Sequence, residues 1–342
     1  MIRMLVPAFA AFAVTVATVP VVQCLCERTQ LFDRPGPLKI HSHPIPRLGG
    51  VAILFGILAG LFASGQLDLW AHSSVFAGLA IVWLAGLLDD LRGLHPAARL
   101  AAQIAAATVL WLGGARLPLA PGGPASWIAV CLLVILYVNA FNFLDGSDGL
   151  ATGVACVIAL TFAALPQGAL SRADLAIAIS MAAACAGFLP ANFPPATMFP
   201  GDSASTILGF LTVYLGLHIA TTRTTPHAAL LPFVIAALPL FDAVRVVGIR
   251  ILNNRPPTAG DRNHFYDRLS ANGWSKRRVA LTSWAISAAC GALAVLVARA
   301  YLPAGWIFVV FAAIALWMAA VSLAPDGKTT KVYEETNVSA TQ

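Results

Sequence analysis

Asp89 and Asp90 are adjacent carboxylates at the end of an apolar run, LAGLLDDL. At a helix C-terminus they repel each other and oppose the negative end of the macrodipole, so Mg²⁺ or a nearby Lys or Arg has to compensate them. A purely capping role is a poor explanation, because that end of a helix prefers cations. Asp202, in FPGDSAS, directly precedes another apolar run. Backbone N–H groups point outward there, so a carboxylate with a divalent cation makes a pyrophosphate site, and without one an ordinary N-cap. Asn139, Asn142, Asp145 and Asp148 recur every three residues in NAFNFLDGSDGL. The first three can share a helical face, and Asp148 is placed to cap the next helix beside Gly149. An Asx-rich turn accounts for Asp148 but not for two asparagines one turn inside an apolar segment. The DGSDG stretch lacks the third ligand and the distant Glu of a calcium loop.

Three further groups sit in the remaining polar stretches. Asn192 and Phe193 are suited to gripping a planar base by hydrogen bonding and stacking, although Phe193 reads equally well as an aromatic at a bilayer interface. The stretch from Asp33 to Gly50 carries Lys39, His41 and Arg47 among four prolines. Lys39 is a point charge for a lipid phosphate or a nucleotide pyrophosphate, while a loop that only marks the positive side of a membrane would look the same. Gly49-Gly50 lets the next helix begin close-packed. The longest connection, from Arg255 to Arg278, holds Arg262 and His264. Asp242 and Arg245, three residues apart, pair structurally, and Arg277 and Arg278 act as topology determinants.

The elements that position these groups are membrane helices. Of the 342 residues 59% are hydrophobic and 11% charged, with a mean hydropathy of +0.80, whereas a soluble domain is about 25% charged. Eleven apolar runs of transmembrane length occur: 4–24, 49–66, 72–88, 98–114, 126–143, 149–165, 174–191, 204–221, 228–248, 279–299 and 304–324. A backbone in lipid must satisfy its own hydrogen bonds, so the expected fold class is all-α, a polytopic helix bundle of about eleven transmembrane helices. It forms one integral domain over residues 1–325, with a polar cytoplasmic tail over 326–342. With the N-terminus outside and the C-terminus inside, fifteen of the 21 Lys and Arg face the cytoplasm. Thirteen of the fifteen acidic residues then share that side, as do five polar clusters at 33–50, 89–90, 139–150, 192–205 and 255–278. Carboxylates gathered at a membrane edge signal a site. The net charge of +6 suits anionic headgroups and phosphates. No basic patch interleaved with aromatics points to nucleic acid, and no ligand spacing supports zinc.

Five ordered motifs carry a resemblance: DRP…K.H…P..GG, the DD pair, NAFNFLDGSDGLA, NFPPA..F.GDSAS and P.FD…DRNHFYDRL. Together, from about Asp33 to Leu269, the chain resembles the polyprenyl-phosphate N-acetylhexosamine-1-phosphate transferases. That resemblance implies a multi-pass enzyme of the bacterial cytoplasmic membrane, with its site facing the cytoplasm. The phosphate of undecaprenyl phosphate attacks the β-phosphorus of a UDP-HexNAc, giving undecaprenyl-pyrophosphoryl sugar and UMP. It implies Mg²⁺ as cofactor, with Mn²⁺ able to substitute, held by Asp202 and Asn142. Asp89, Asp90, Asp202 and His264 would be catalytic. Lys39, His41, Asn139, Asn142, Asp145, Asp148, Asn192, Phe193 and Arg262 would bind substrate. The related enzymes can also form homodimers.

Two departures matter. Pro200 stands where the family has Met in FMGD, and only His264 remains of a motif with several histidines. Pro200 alters the turn but keeps the carboxylate, while the histidine motif resembles that of the branch that primes O-antigen or capsule with UDP-GlcNAc or a 6-deoxy-HexNAc such as QuiNAc or FucNAc. A phospho-MurNAc-pentapeptide transferase is the alternative within the family. A cation-coupled transporter is the alternative from another class, but it would place charges near the bilayer midplane within internal repeats, and neither is seen.

Overall fold

A computed structural model describes residues 2–36, 43–66, 72–117, 122–222, 226–258 and 260–323. Lys39, His41 and the expected tail from 326 lie outside the described residues. The chain is almost entirely helical: α1 Ile2–Thr29, α2 Gly49–Ser64, α3 Ser73–Arg92, α4 Pro96–Leu112, α5 Gly123–Leu144, α6 Leu150–Ala164, α7 Arg172–Asn192, α8 Asp202–Thr222, α9 Leu231–Ile235, α10 Ala237–Leu252, α11 Phe265–Ala271, α12 Lys276–Ala298 and α13 Gly305–Leu323. The described strands are a two-residue antiparallel pair, β1 Phe32–Asp33 and β2 Ile45–Pro46, with Phe32 opposite Pro46 and Asp33 opposite Ile45.

All eleven apolar runs fold as helix, but they are not eleven equal spans. Among the described residues six helices are long and apolar enough to cross a membrane: α1, α3, α5, α7, α8 and α12. The ninth run is broken. Helix α9 and helix α10 meet at a 76° bend, and counting the pair as one crossing gives seven. The runs that form α2, α4, α6 and α13 are shorter apolar helices. Hydropathy integrates composition over a window and does not register the turn at Ala236, where φ −102° and ψ 22° leave the helical region.

Local sequence explains the helix boundaries. Pro96 opens α4 behind His95, whose ring accepts from the Ala97 N–H at 3.2 Å, and Ser171 and Ser275 cap α7 and α12. Gly65, in the left-handed region at φ 61°, closes α2. Packing relies on small residues, as expected where lipid removes the hydrophobic drive between helices. Gly56 and Gly60 on α2 leave no room for a Cβ, which would stand 2.8 Å from the Ala11 and Pro7 carbonyl oxygens of α1.

Helix α8 is the central element. It packs against α2, α3, α5 and α9. Of its apolar stretch 83% is buried within the protein, against 28% for α1, whose outer residues Leu5, Phe9 and Val21 are exposed. Its N-terminus meets the start of α2. A Cβ at Gly50 would lie 2.4 Å from the Ala204 nitrogen, so the close-packed start expected of Gly49-Gly50 is what the structure has.

Candidate active site

The five polar clusters converge on a single cavity of about 430 Å³, within the usual range of small-molecule sites. Asp33 and Arg47 reach it from the first loop, Asp90 from α3, and Asn142, Asp145 and Asp148 from the α5–α6 turn. Gly201 and Asp202 enter from the start of α8. Arg250 comes from α10, Asp261 and His264 from the last long connection, and Lys276 from the start of α12.

Asp90 joins two of these elements. Its Oδ1 accepts from the Asp202 backbone N–H at 2.9 Å, and its Oδ2 accepts from the Ser203 N–H at 3.0 Å and the Ser203 hydroxyl at 2.7 Å. A carboxylate at the C-terminal end of α3 therefore caps α8. The positive end of one helix compensates a charge that its own helix disfavours. Arg47 adds to this by donating through Nη2 to the Asp90 carbonyl oxygen. Asp89 has a different partner. It accepts from the Arg99 guanidinium at 3.0 Å and from the Leu94 N–H at 2.6 Å. The compensation demanded by the DD pair thus comes from Arg99 at Asp89, and from the α8 terminus with Arg47 at Asp90.

Asn142 points its amide NH₂ at the Asp202 carboxylate and at the Ser205 hydroxyl (3.2 Å). Asn139, one turn earlier, turns away and donates to Gln103 Oε1 at 2.9 Å. Asn139 and Asp89 line a small cleft of about 20 Å³ behind the Asn142–Asp202 pair. The expectation that Asp148 caps α6 is corrected. Gly149 occupies the N-cap with no side-chain bond, while Asp148 accepts from Lys276 Nζ at 2.9 Å and the Ala196 N–H at 3.2 Å. A lysine from a distant helix wins over a local cap because it carries a full charge.

Asn192 reaches the cavity wall, but its amide is committed. Its oxygen accepts from the Gly149 N–H and the Thr152 hydroxyl, and its nitrogen donates to the Met198 carbonyl. Phe193 packs against Trp284, ring centroids 5.6 Å apart, with the Arg277 guanidinium 5.4 Å from its centroid. Neither Phe193 nor Arg262 lines the cavity. Arg262 pairs with Asp267 at 3.5 Å. The expected Asp242–Arg245 pair is present at 3.0 Å.

Sequence reasoning passed over Arg99, Arg250, Asp261 and Lys276 as site residues. Arg250 is buried, donates through Nε to Asp261 at 2.8 Å and through Nη1 to the Pro257 carbonyl at 2.6 Å, and stands over the Phe143 ring. An acid and a base eleven residues apart across a proline-rich connection carry no spacing signal.

Among the described residues no Lys or Arg lies within ion-pair distance of Asp145 or Asp202. Burial pushes the Asp145 carboxyl well above the ordinary carboxylate range, and the negative charges of Asp202, Asp90 and Asp33 raise it further. Hard oxygen donors in a surplus of negative charge fit a divalent cation. Among the described residues no three acidic, His or Cys side chains form a ready-made cage. That fits Mg²⁺, which is held by one or two carboxylates and completed by water and substrate phosphates.

The fold and the site together define a helical membrane protein with a charged cavity of small-molecule size at its helix ends. The chain belongs to glycosyl transferase family 4. The family's model matches residues 72–220. A probable undecaprenyl-phosphate N-acetylglucosaminyl 1-phosphate transferase of Bacillus subtilis is 30% identical over 84% of this chain and 82% of that protein. The decaprenyl-phosphate N-acetylglucosaminephosphotransferase of Mycobacterium leprae is 31% identical, covering 79% of this chain and 78% of that protein. The undecaprenyl-phosphate alpha-N-acetylglucosaminyl 1-phosphate transferase of Escherichia coli K12 is 26% identical, over 86% and 84%.

Proposed function

We propose that this enzyme transfers N-acetylhexosamine 1-phosphate from a UDP-HexNAc to undecaprenyl phosphate, the first step of a cell-surface glycan. The relatives named for N-acetylglucosaminyl 1-phosphate support UDP-GlcNAc as the first donor to test, ahead of the 6-deoxy-HexNAc donors. A phosphate oxygen of the lipid attacks the β-phosphorus, the bond from that phosphorus to the bridging oxygen breaks, and UMP departs with the electron pair. One observation carries this reading. Five clusters, far apart in sequence, line one cavity that contains two half-buried carboxylates, Asp145 and Asp202, with no Lys or Arg in ion-pair distance among the described residues.

In this reading Asp202 and Asn142 would hold Mg²⁺, which would supply charge neutralisation on the diphosphate. Asp90 keeps the α8 N-terminus aimed into the cavity. Arg47, Arg99, Arg250 and Lys276 draw the anionic substrates together, and orientation supplies much of the rate in phosphoryl transfer. Asp89, Asp90 and His264 are the groups proposed to handle protons or steer the lipid phosphate. Asp145, Asp148 and Asn139 support the nucleotide end, with Lys39, His41, Asn192, Phe193 and Arg262 as further substrate contacts. The chain is proposed to cross the inner membrane eleven times, N-terminus outside and C-terminus inside, with the site facing the cytoplasm and the homodimer as its assembly. Residues 1–325 form the membrane domain and 326–342 a cytoplasmic tail.

The test is UMP release by membranes containing the protein, given undecaprenyl phosphate, Mg²⁺ and a panel of UDP-HexNAc donors. Release is expected with UDP-GlcNAc and lost with EDTA or Asp202→Asn at unchanged expression. Activity that survives both treatments refutes the metal assignment. A transport activity without UMP would refute the whole reading.

A further inference from the structure

His264 is held unusually firmly for a residue in a long connection. Its ring Nδ1 lies 2.7 Å from Asp242 Oδ2, with the histidine 5% and the aspartate 1% exposed. The Tyr266 ring stacks on it at 5.2 Å and 4°, and Phe143 abuts it at 5.5 Å. The other Asp242 oxygen is also occupied. Oδ1 accepts from the Phe265 backbone N–H at 3.0 Å and from Arg245 Nη2 at 3.0 Å, and Arg245 donates in addition to the Asn263 carbonyl. Asp242, from α10, thus fixes both the backbone on either side of His264 and one edge of its ring.

An ionised carboxylate only accepts, so the ring nitrogen facing Asp242 carries the proton. The Nε2 edge is what remains for the cavity that His264 lines, and among the described residues nothing bonds to it. We propose that Asp242 is a positioning residue that acts through His264, locking the Nδ1–H tautomer so that Nε2 meets the substrate phosphates. In the neutral ring Nε2 takes a hydrogen bond from a monoprotonated phosphate. If the proton transfers, the O–H bond breaks and an N–H bond forms. The electron pair stays on the phosphate oxygen, and an imidazolium then faces a phosphate one charge more negative. Other charged groups nearby are Asp261, Asp267 and Arg250, none of which replaces Asp242 at Nδ1. The kinetic part of this inference rests on the proposed transferase reaction, but the tautomer does not.

Asp242→Asn is a sharp test because its amide orientation is predetermined. Two donors already point at the Oδ1 position, so the amide oxygen must stay there and its NH₂ must face His264. Nδ1 then has to accept, and the ring proton moves to Nε2. The full-length protein with ¹⁵N-labelled histidine, in lipid nanodiscs, reports this directly, with the His264 signals identified by their loss in His264→Gln. The wild type is expected to show protonated Nδ1 and bare Nε2, and Asp242→Asn the reverse. With UDP-GlcNAc and undecaprenyl phosphate, kcat should fall about 100-fold in Asp242→Asn with KM little changed. In a His264→Gln background the same change should cost nothing further. An unchanged tautomer or additive losses overturn the proposal. If Asp242→Asn does not fold, the wild-type signals decide, since a bare Nδ1 overturns it as well. A wild type that releases no UMP from any donor would sink the transferase reading and leave the tautomer measurement standing.

Discussion

Ser203 donates both its backbone N–H and its hydroxyl to the Asp90 carboxylate, at 3.0 and 2.7 Å, so the end of α3 serves as the N-cap of α8. Asp90 is 2% exposed and Ser203 is fully buried, which removes water as a substitute for either partner. Asp90→Ala should therefore lower stability by about 1–2 kcal/mol, the value of a lost cap, and misplace the start of α8. Ser203→Ala removes one of three bonds and should cost about 1 kcal/mol or less. Thermal unfolding in detergent should rank the two variants in that order. Equal melting temperatures would count against the cap.

Gly201 fixes how closely Asp202 approaches this cap. Its φ is +77°, and a Cβ there would lie 2.3 Å from the Arg47 carbonyl oxygen and 2.7 Å from both Asp90 oxygens. The left-handed conformation alone costs a non-glycine residue about 1–2 kcal/mol, and the contact with backbone cannot be relieved by a rotamer change. Gly201→Ala should abolish UMP release while the protein still reaches the membrane. Activity near that of the wild type would mean that the turn tolerates rearrangement.

The Arg250–Asp261 pair tethers the last long connection to α10. Burial acts to raise the Asp261 carboxyl, but the Arg250 hydrogen bond, the Asn263 N–H and nearby positive charge outweigh it and hold the group below the ordinary value. A depressed carboxylate contributes stability that is present above its unfolded pKa, about 3.9, and lost as pH falls through the folded value. Protection of residues 253–262 from protease should thus be flat from pH 5 to 8 and decline only in stronger acid. Arg250→Lys cannot reproduce the two-pronged contact to Asp261 and Pro257, and it should speed cleavage in this connection at every pH.

Sidedness can be read by labelling. Single cysteines replacing the exposed Arg92 and Arg255 should react from the cytosolic side, and one replacing the exposed Arg172 from the outer side. The exposed native Cys24 must first be removed. Labelling of positions 92 and 255 from opposite sides would exclude a shared cytoplasmic site.

Composition and the spacing of polar clusters were enough to read an all-α membrane protein, its apolar segments and most of the polar groups around the cavity, including Asp90, Asn142, Asp145 and Asp202. Those features are local: a hydrophobic run, or an acid that a helix end disfavours, is costly unless the surroundings compensate it. Beyond the local Asp242–Arg245 pair, partners were not legible. Lys276 reaches Asp148 across 128 residues, Asp90 caps a helix 112 residues away, and Asn192 spends its amide inside the protein. The break at Ala236 was equally hidden, since a hydropathy window averages over it. Which charges meet depends on how the helices pack, and that packing is set by small residues such as Gly50, Gly56 and Gly201 touching distant backbone. Sequence therefore named the groups that needed a counterpart, and tertiary structure alone decided which counterpart each one received.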